Sequence, residues 1–270
     1  MNYFLVEGGN IWQDVVTNFD PTQIGKPLTQ VTQQYLNKTG AGVNTVGSCY
    51  KPRYDKDGNV VPSNDLDAML DLSVLQQAFG TNDAKTTRKA LSKYLQQQGL
   101  ETEQTGVTVH VRMPLDDKFY QVDLKVVPNA AKVAQFHRHD IPQGSPYKGV
   151  NKQLVMNALA TTQGMLWSPD EGLYKRDNLG KKSELLTTDW DKIAKYLLGN
   201  TATGKDLGSV ESILNKIPDE KRKEEIMSMA RKGQSWQAAT PGVNEWFRRA
   251  MDMLKWLLQR LVYLPATKKN

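Results

Sequence analysis

The chain is short of the residues that several common chemistries need. Its 270 residues include one cysteine, Cys49, which excludes an intrachain disulfide and makes a reducing, cytoplasmic setting the simplest expectation. There are three histidines in all. His137 and His139, in QFHRHD, have a spacing that suits metal ligation, but no cysteine lies near them and they read as surface-loop residues. Cys49 has no histidine close in sequence and reads as a small buried strand residue rather than a nucleophile. Glycine-rich phosphate loops of the Walker or dinucleotide type are missing, which argues against a P-loop ATPase or a Rossmann dehydrogenase. No uncharged apolar run is long enough to span a bilayer. The opening MNYFLVEGGNIW has neither a basic n-region nor a long apolar core, so neither a signal peptide nor a membrane partner is expected. Internal repeats and low-complexity tracts are also missing.

What is present suits one large globular domain or two modest ones: 39% hydrophobic residues and a formal net charge of +6. The charge is unevenly spread. Residues 128–270 hold 23 Lys+Arg against 15 Asp+Glu, whereas residues 1–127 hold 12 against 14. A basic second half attracts phosphate-bearing partners such as nucleotides or nucleic acid, although scattered Lys and Arg on helix surfaces also serve solubility.

Along the chain, Lys26 to Lys38 reads as a helix with Pro27 in its first turn and Gly40 as a stop. A strand is expected at Val43 to Cys49, then a loop or small hairpin around Asp57-Gly58. Leu66, Ala68 and Leu70 alternate with Asp65, Asp67 and Asp71, the period of a strand with one apolar face, and Met69 breaks the pattern on the acidic side. A helix from Asp83 to Gln98 and strands at 107–113 and 119–127, joined by a turn at Asp116-Asp117, complete an α/β half. Beyond Pro128, SPYKGVNKQLVMNALA reads as a loop entering a helix and MLWSPDEGLYKRD as a hairpin or irregular arm. Shorter helices are expected at Asp189 to Leu198 and Leu207 to Ile217. A long amphipathic helix is expected at Pro241 to Leu264, core-facing rather than on a membrane surface. The division is therefore residues 1–140 as an α/β unit and 141–270 as a mainly helical one.

Asp65 and Asp67 project on one face of their strand and repel each other unless a positive charge compensates. A hard divalent cation with oxygen ligands, Mg²⁺, meets that need. Asp123, centred in FYQVDLKVV between Val122 and Leu124, is a third carboxylate in an apolar setting that asks for the same kind of partner. A lone Asp-Leu-Asp is commonly a solvated strand face, and Asp123 alone reads equally as an edge residue facing water.

The ordered set is a helix, Gly47-Ser48 at a strand end, a strand with Asp65 and Asp67, a helix, and a strand with Asp123. It resembles the nucleotidyltransferase superfamily typified by DNA polymerase beta, which includes poly(A) polymerases and CCA-adding enzymes. The resemblance covers about residues 27–127. One departure is the long gap between Ser48 and Asp65, which holds the expected hairpin. The resemblance implies an α+β palm with a mixed sheet, followed by the mainly helical domain. It implies two Mg²⁺ ions, with Mn²⁺ as a substitute, held by Asp65, Asp67 and Asp123, and Asp123 as the group that takes the acceptor's proton. By the same likeness Gly47 and Ser48 present backbone N–H groups to an NTP such as ATP, with Lys51, Arg53, Lys148 and Lys152 as candidate phosphate cations, Lys152 favoured. The chain also looks like nucleotidyltransferase-like proteins of tailed bacteriophages, which implies a host cytoplasm.

Three functions follow: transfer of a nucleotide to RNA such as a tRNA end; transfer to a protein or small molecule; or a catalytically silent binding or structural protein. Only the first uses the basic second half as well as the acids.

Overall fold

The computed structural model describes residues 11–12 and 16–232. The expected helix at Pro241 to Leu264 and the opening MNYFLVEGGN lie outside them.

Helix α1 spans Pro21–Leu36, five residues earlier than the sequence pattern implies. The Asp20 carboxylate caps it by accepting from the Thr22 N–H, and Pro21 occupies its first position, so Pro27 lies inside the helix rather than at its start. Gly40, at φ 72°, ends the short 3-10 turn that follows. The strand expected at Val43 to Cys49 is only two residues long: β1 is Asn44–Thr45, and Gly47–Tyr50 turns into a short helix, α2. A β-bridge between Tyr54 and Val60 closes the expected hairpin around Gly58.

Strand β2, Asp65–Asp71, follows, and it is the alternating segment. Asp71 belongs to no site. Its carboxylate accepts from the Ser73 N–H and caps helix α3, Leu72–Phe79, which hydrophobic alternation did not reveal. Helix α4, Ala84–Gln96, is capped by Asp83. Strands β3 (Glu101–Thr105), β4 (Thr108–Leu115) and β5 (Lys118–Val127) complete a mixed five-stranded sheet in the order β1-β2-β5-β4-β3. β2 and β5 run parallel; the other neighbours are antiparallel.

One face of this sheet is apolar. Leu66, Ala68 and Leu70 of β2, Val122, Leu124 and Val126 of β5, and Val109, Val111 and Met113 of β4 pack with Leu28 and Leu36 of α1, Leu75 of α3, and Leu91 and Leu95 of α4. Each fully buried Val, Leu or Met among them contributes about 1.5–3 kcal/mol to folding. The other face carries the acids and is only partly covered. Helix α5, Ala130–His137, lays Ala130, Val133 and Ala134 against Met69, Val127 and Val46, which is why Met69 breaks the acidic pattern. That cover meets the C-terminal ends of β2 and β5; Asp67, nearer the start of β2, keeps a side chain 28% exposed.

The remainder is not purely helical. Helix α6 (Gly149–Thr162) leads into a three-stranded antiparallel sheet of β6 (Met165–Ser168), β7 (Gly172–Arg176) and β8 (Lys182–Thr187). β6 and β7 form the expected arm. Helices α7 (Trp190–Leu198), α8 (Val210–Asn215) and α9 (Glu220–Arg231) close a second core. α8 is shorter than expected because a 3-10 turn at Gly204–Leu207 takes the segment before it. This core begins at Phe136, whose ring meets Trp167 and Trp190 at centroid distances of 5.0 and 5.2 Å. Helix α5 thus presents its early residues to the first sheet and Phe136 to the second core. Among the described residues, no helix is long and apolar enough to cross a membrane.

Leu124→Ala leaves a cavity between β5 and the helices on its apolar face. It is expected to lower stability by about 2–5 kcal/mol, read as a fall in denaturation midpoint.

Candidate functional site

The parallel pairing of β2 with β5 sets Asp67 opposite Asp123, and Asp65 opposite Gln121. Directly paired residues of neighbouring strands point to the same face, and the core-facing neighbours of all three acids leave that face to be the other one. The trio expected from sequence therefore shares one face. On the far side of β5, His110 of β4 pairs with Asp123, so one row across the sheet reads Asp67, Asp123, His110.

The members of that row differ in setting. Asp123 is 2% exposed, which excludes the solvent-facing edge reading. Its Oδ1 accepts from Gln121 Nε2 at 2.9 Å and lies 2.8 Å from His110 Nδ1. Asp65 and Asp67 line a cavity of about 270 Å³. Asp67 Oδ1 lies 3.8 Å from the Nζ of Lys125, a buried residue two positions beyond Asp123.

Gly47 and Ser48 line the same cavity. They stand at the start of α2, not at the end of a strand. Val46 donates its N–H to the Asp67 carbonyl at 2.9 Å, which ties the start of α2 to β2. Gly47 has φ 64°, and a Cβ there would stand 3.2 Å from Asp67 Oδ2, so both backbone conformation and space favour glycine. Ser48 Oγ lies 2.6 Å from Ser63 Oγ, which donates to the Asp65 carbonyl at 2.8 Å. Cys49 sits in this helix rather than in a strand, and it is half-buried. Burial first, then the charges of Asp65 and Asp67, push its thiol up to about 12.

Three of the four candidate cations line the cavity: Lys51, Arg53 and Lys148. Lys51 pairs with Asp140, and Lys148 stands at the N-terminus of α6. Burial lowers the affinity of Arg53 and Lys148 for their protons, and for Lys148 the charge of Arg53 adds to it. Lys152, favoured from sequence, is not a cavity residue. It is 1% exposed and donates from Nζ to the carbonyls of Phe136 and Arg138 at 2.9 and 2.8 Å, which ties α6 to the end of α5.

The histidines also differ from expectation. His137 is 4% exposed, and its Nε2 lies 3.2 Å from Asp170 Oδ1 in the β6–β7 turn. Burial pushes the Asp170 carboxyl up, but the hydrogen bond from His137 and the charges of His137, Lys125 and Lys182 outweigh it and hold the group below its ordinary range. His139 forms part of the cavity wall against Gly149, where a Cβ would collide with its ring. Desolvation, followed by the charges of Lys152, His137, Lys125 and Arg53, holds its pKa well below the ordinary value. The surface-loop reading fails for His137, which is buried at the end of α5 against the β6–β7 turn, whereas His139 does lie in the loop that follows, partly exposed at the cavity wall. His110 drew no attention in the sequence, although its place in an alternating strand opposite an acid-bearing strand was a usable signal.

Among the described residues, no three Asp, Glu, His or Cys side chains gather closely enough to form a ready-made metal cage. Mg²⁺ characteristically binds through one or two carboxylates together with substrate phosphates and water. Two cavity-lining carboxylates with a third in register beside them are a donor set of the right chemistry for that mode. No protein-family model matches the chain, and no curated protein matches it.

Two outcomes follow from these environments. A Cys49 thiol raised from 9.0 to about 12 is expected to react with a thiol reagent at pH 8 more than ~10-fold more slowly than in the unfolded chain, because the loss of thiolate outweighs its greater intrinsic nucleophilicity, and equal rates would contradict the burial beside the acids. His139 is neutral when folded and binds its proton more readily when unfolded, so below the unfolded value of 6.5 the unfolded chain takes up the extra proton. Stability is therefore present above that value and falls as pH drops through it toward the depressed folded value. Denaturation midpoints measured across this window in His139→Asn are expected to fall less steeply than in the unmodified chain.

Proposed function

We propose that the chain is a nucleotidyltransferase with its palm on the five-stranded sheet, which moves a nucleoside monophosphate from an NTP to an acceptor hydroxyl. The observation that carries this reading is the register of Asp67 against Asp123 on parallel strands. Asp65 lies on the same face, and Gly47-Ser48 stands against Asp67 at the wall of one cavity.

In the reaction the acceptor oxygen forms a bond to the α-phosphorus, the bond to the β-phosphate oxygen breaks, and pyrophosphate leaves with the electron pair. Asp65, Asp67 and Asp123 would hold Mg²⁺ or Mn²⁺, which would supply positive charge to offset the negative charge that builds up on the reacting oxygens. Asp123 takes the hydroxyl proton. Gly47 and Ser48 offer backbone N–H groups to the phosphates, and Lys51, Arg53 and Lys148, along the same cavity, offset the triphosphate charge. Lys152 acts at one remove by fixing the helix that carries Lys148. The excess of Lys and Arg after residue 128 favours RNA over a neutral small molecule as the acceptor. A host cytoplasm, if the chain is phage-encoded, supplies both.

One observation favours a second reading. Lys125 already offsets part of the Asp67 charge, as it would in a pocket that binds nucleotides without transferring them.

Incubation with Mg²⁺ and each labelled NTP in a bacterial lysate separates these readings. Label is expected in nuclease-sensitive material, and Asp67→Asn and Asp123→Ala, both still folded, are expected to lower transfer by more than ~100-fold. Protease-sensitive label instead identifies a protein acceptor. Nucleotide binding with no label in any fraction supports the silent reading.

A further inference from the structure

Asp123 is held by more than its strand. The His110 imidazole, 7% exposed, stands between Thr105 Oγ1, 2.6 Å from its Nε2, and Asp123 Oδ1, 2.8 Å from its Nδ1. An ionised carboxylate only accepts, so Nδ1 carries the hydrogen of this bond. In the neutral ring Nε2 is then an acceptor, and the Thr105 hydroxyl donates into it. Gln121 is fully buried and is oriented in the same manner. Its Oε1 accepts from the Ile11 N–H at 2.8 Å, which turns its amide nitrogen toward Asp123 Oδ1. Both bonds to Asp123 end on the same oxygen, Oδ1.

We infer that His110, with Gln121, is a positioning residue that fixes the Asp123 carboxylate through Oδ1 and leaves Oδ2 for the chemistry of the site. This rests on the nucleotidyl-transfer reading. The physical need is specific. A carboxylate on a buried strand rotates about its side-chain bonds unless donors hold it, and two hydrogen bonds to one oxygen define its plane. An apolar neighbour would fill the same space without setting that plane. His110 does not line the cavity, and its link to the acids is the hydrogen bond to Asp123.

The two amide replacements of His110 separate positioning from packing. In His110→Asn the side-chain nitrogen falls where Nδ1 stands and still donates to Asp123. In His110→Gln it falls near Nε2, facing Thr105, and leaves Asp123 without that donor. Both keep a polar group of similar size, and folding is checked by circular dichroism. Transfer is measured against Mg²⁺ concentration. Metal loading is read independently from the electron paramagnetic resonance signal of free Mn²⁺ in the presence of a non-hydrolysable NTP analogue.

His110→Gln is expected to lower kcat about 10–100-fold and to weaken Mn²⁺ binding by a similar factor, with KM for the NTP little changed. His110→Asn is expected to restore most of both. Equal behaviour of the two variants, or a His110→Gln protein with the metal dependence of the unmodified chain, overturns the inference while leaving the transferase reading intact. An unmodified chain that neither binds Mn²⁺ with the analogue nor transfers label overturns that reading, and this inference with it.

Discussion

The parallel pairing of β2 with β5 is the constraint on which the rest depends. Parallel neighbours cannot be joined by a tight turn, and here the return path uses α3, α4, β3 and β4. The crossover is long, but the register is well determined. Leu66, Ala68 and Leu70 on one strand and Val122, Leu124 and Val126 on the other are all buried in one core. A slip of one residue on either strand would turn its apolar set outward and its acids inward. Hydrophobic burial on one face therefore places Asp67 beside Asp123 on the other, and the acids need no attraction of their own to meet.

Holding carboxylates together has an electrostatic cost, and the surrounding groups meet it in two ways. Around Asp123 the answer is hydrogen bonding: Gln121 and His110 converge on one oxygen in a space almost closed to water. Around Asp67 it is proximity to charge, through Lys125. The contrast assigns the acids different parts. Asp65 and Asp67 face the cavity, while Asp123 is set deeper with its orientation fixed by neighbours.

The second core matters because it completes the cavity wall. Phe136 anchors the end of α5 among Trp167 and Trp190, and Lys152 ties the carbonyls there to α6. Lys148, Gly149 and His139 thereby line the same cavity as Gly47 and Ser48.

Periodicity in the sequence determined β2, β4, β5 and α4, and with them the face that Asp65, Asp67 and Asp123 share, because alternation and helical spacing are local properties written in consecutive residues. It missed where local chemistry competes with pattern. Asp20 and Asp71 act as helix caps, which moved the start of α1 and produced α3, and Gly47 at positive φ turned an apparent strand into the start of α2. Only the tertiary structure decided that His110 and Gln121 hold Asp123, that Lys152 is a tie between helices, that His137 is enclosed, and that His139 lines the cavity. Those contacts join segments far apart in the chain, and which buried groups meet is set by how the sheet and the two cores pack, not by the residues beside each one.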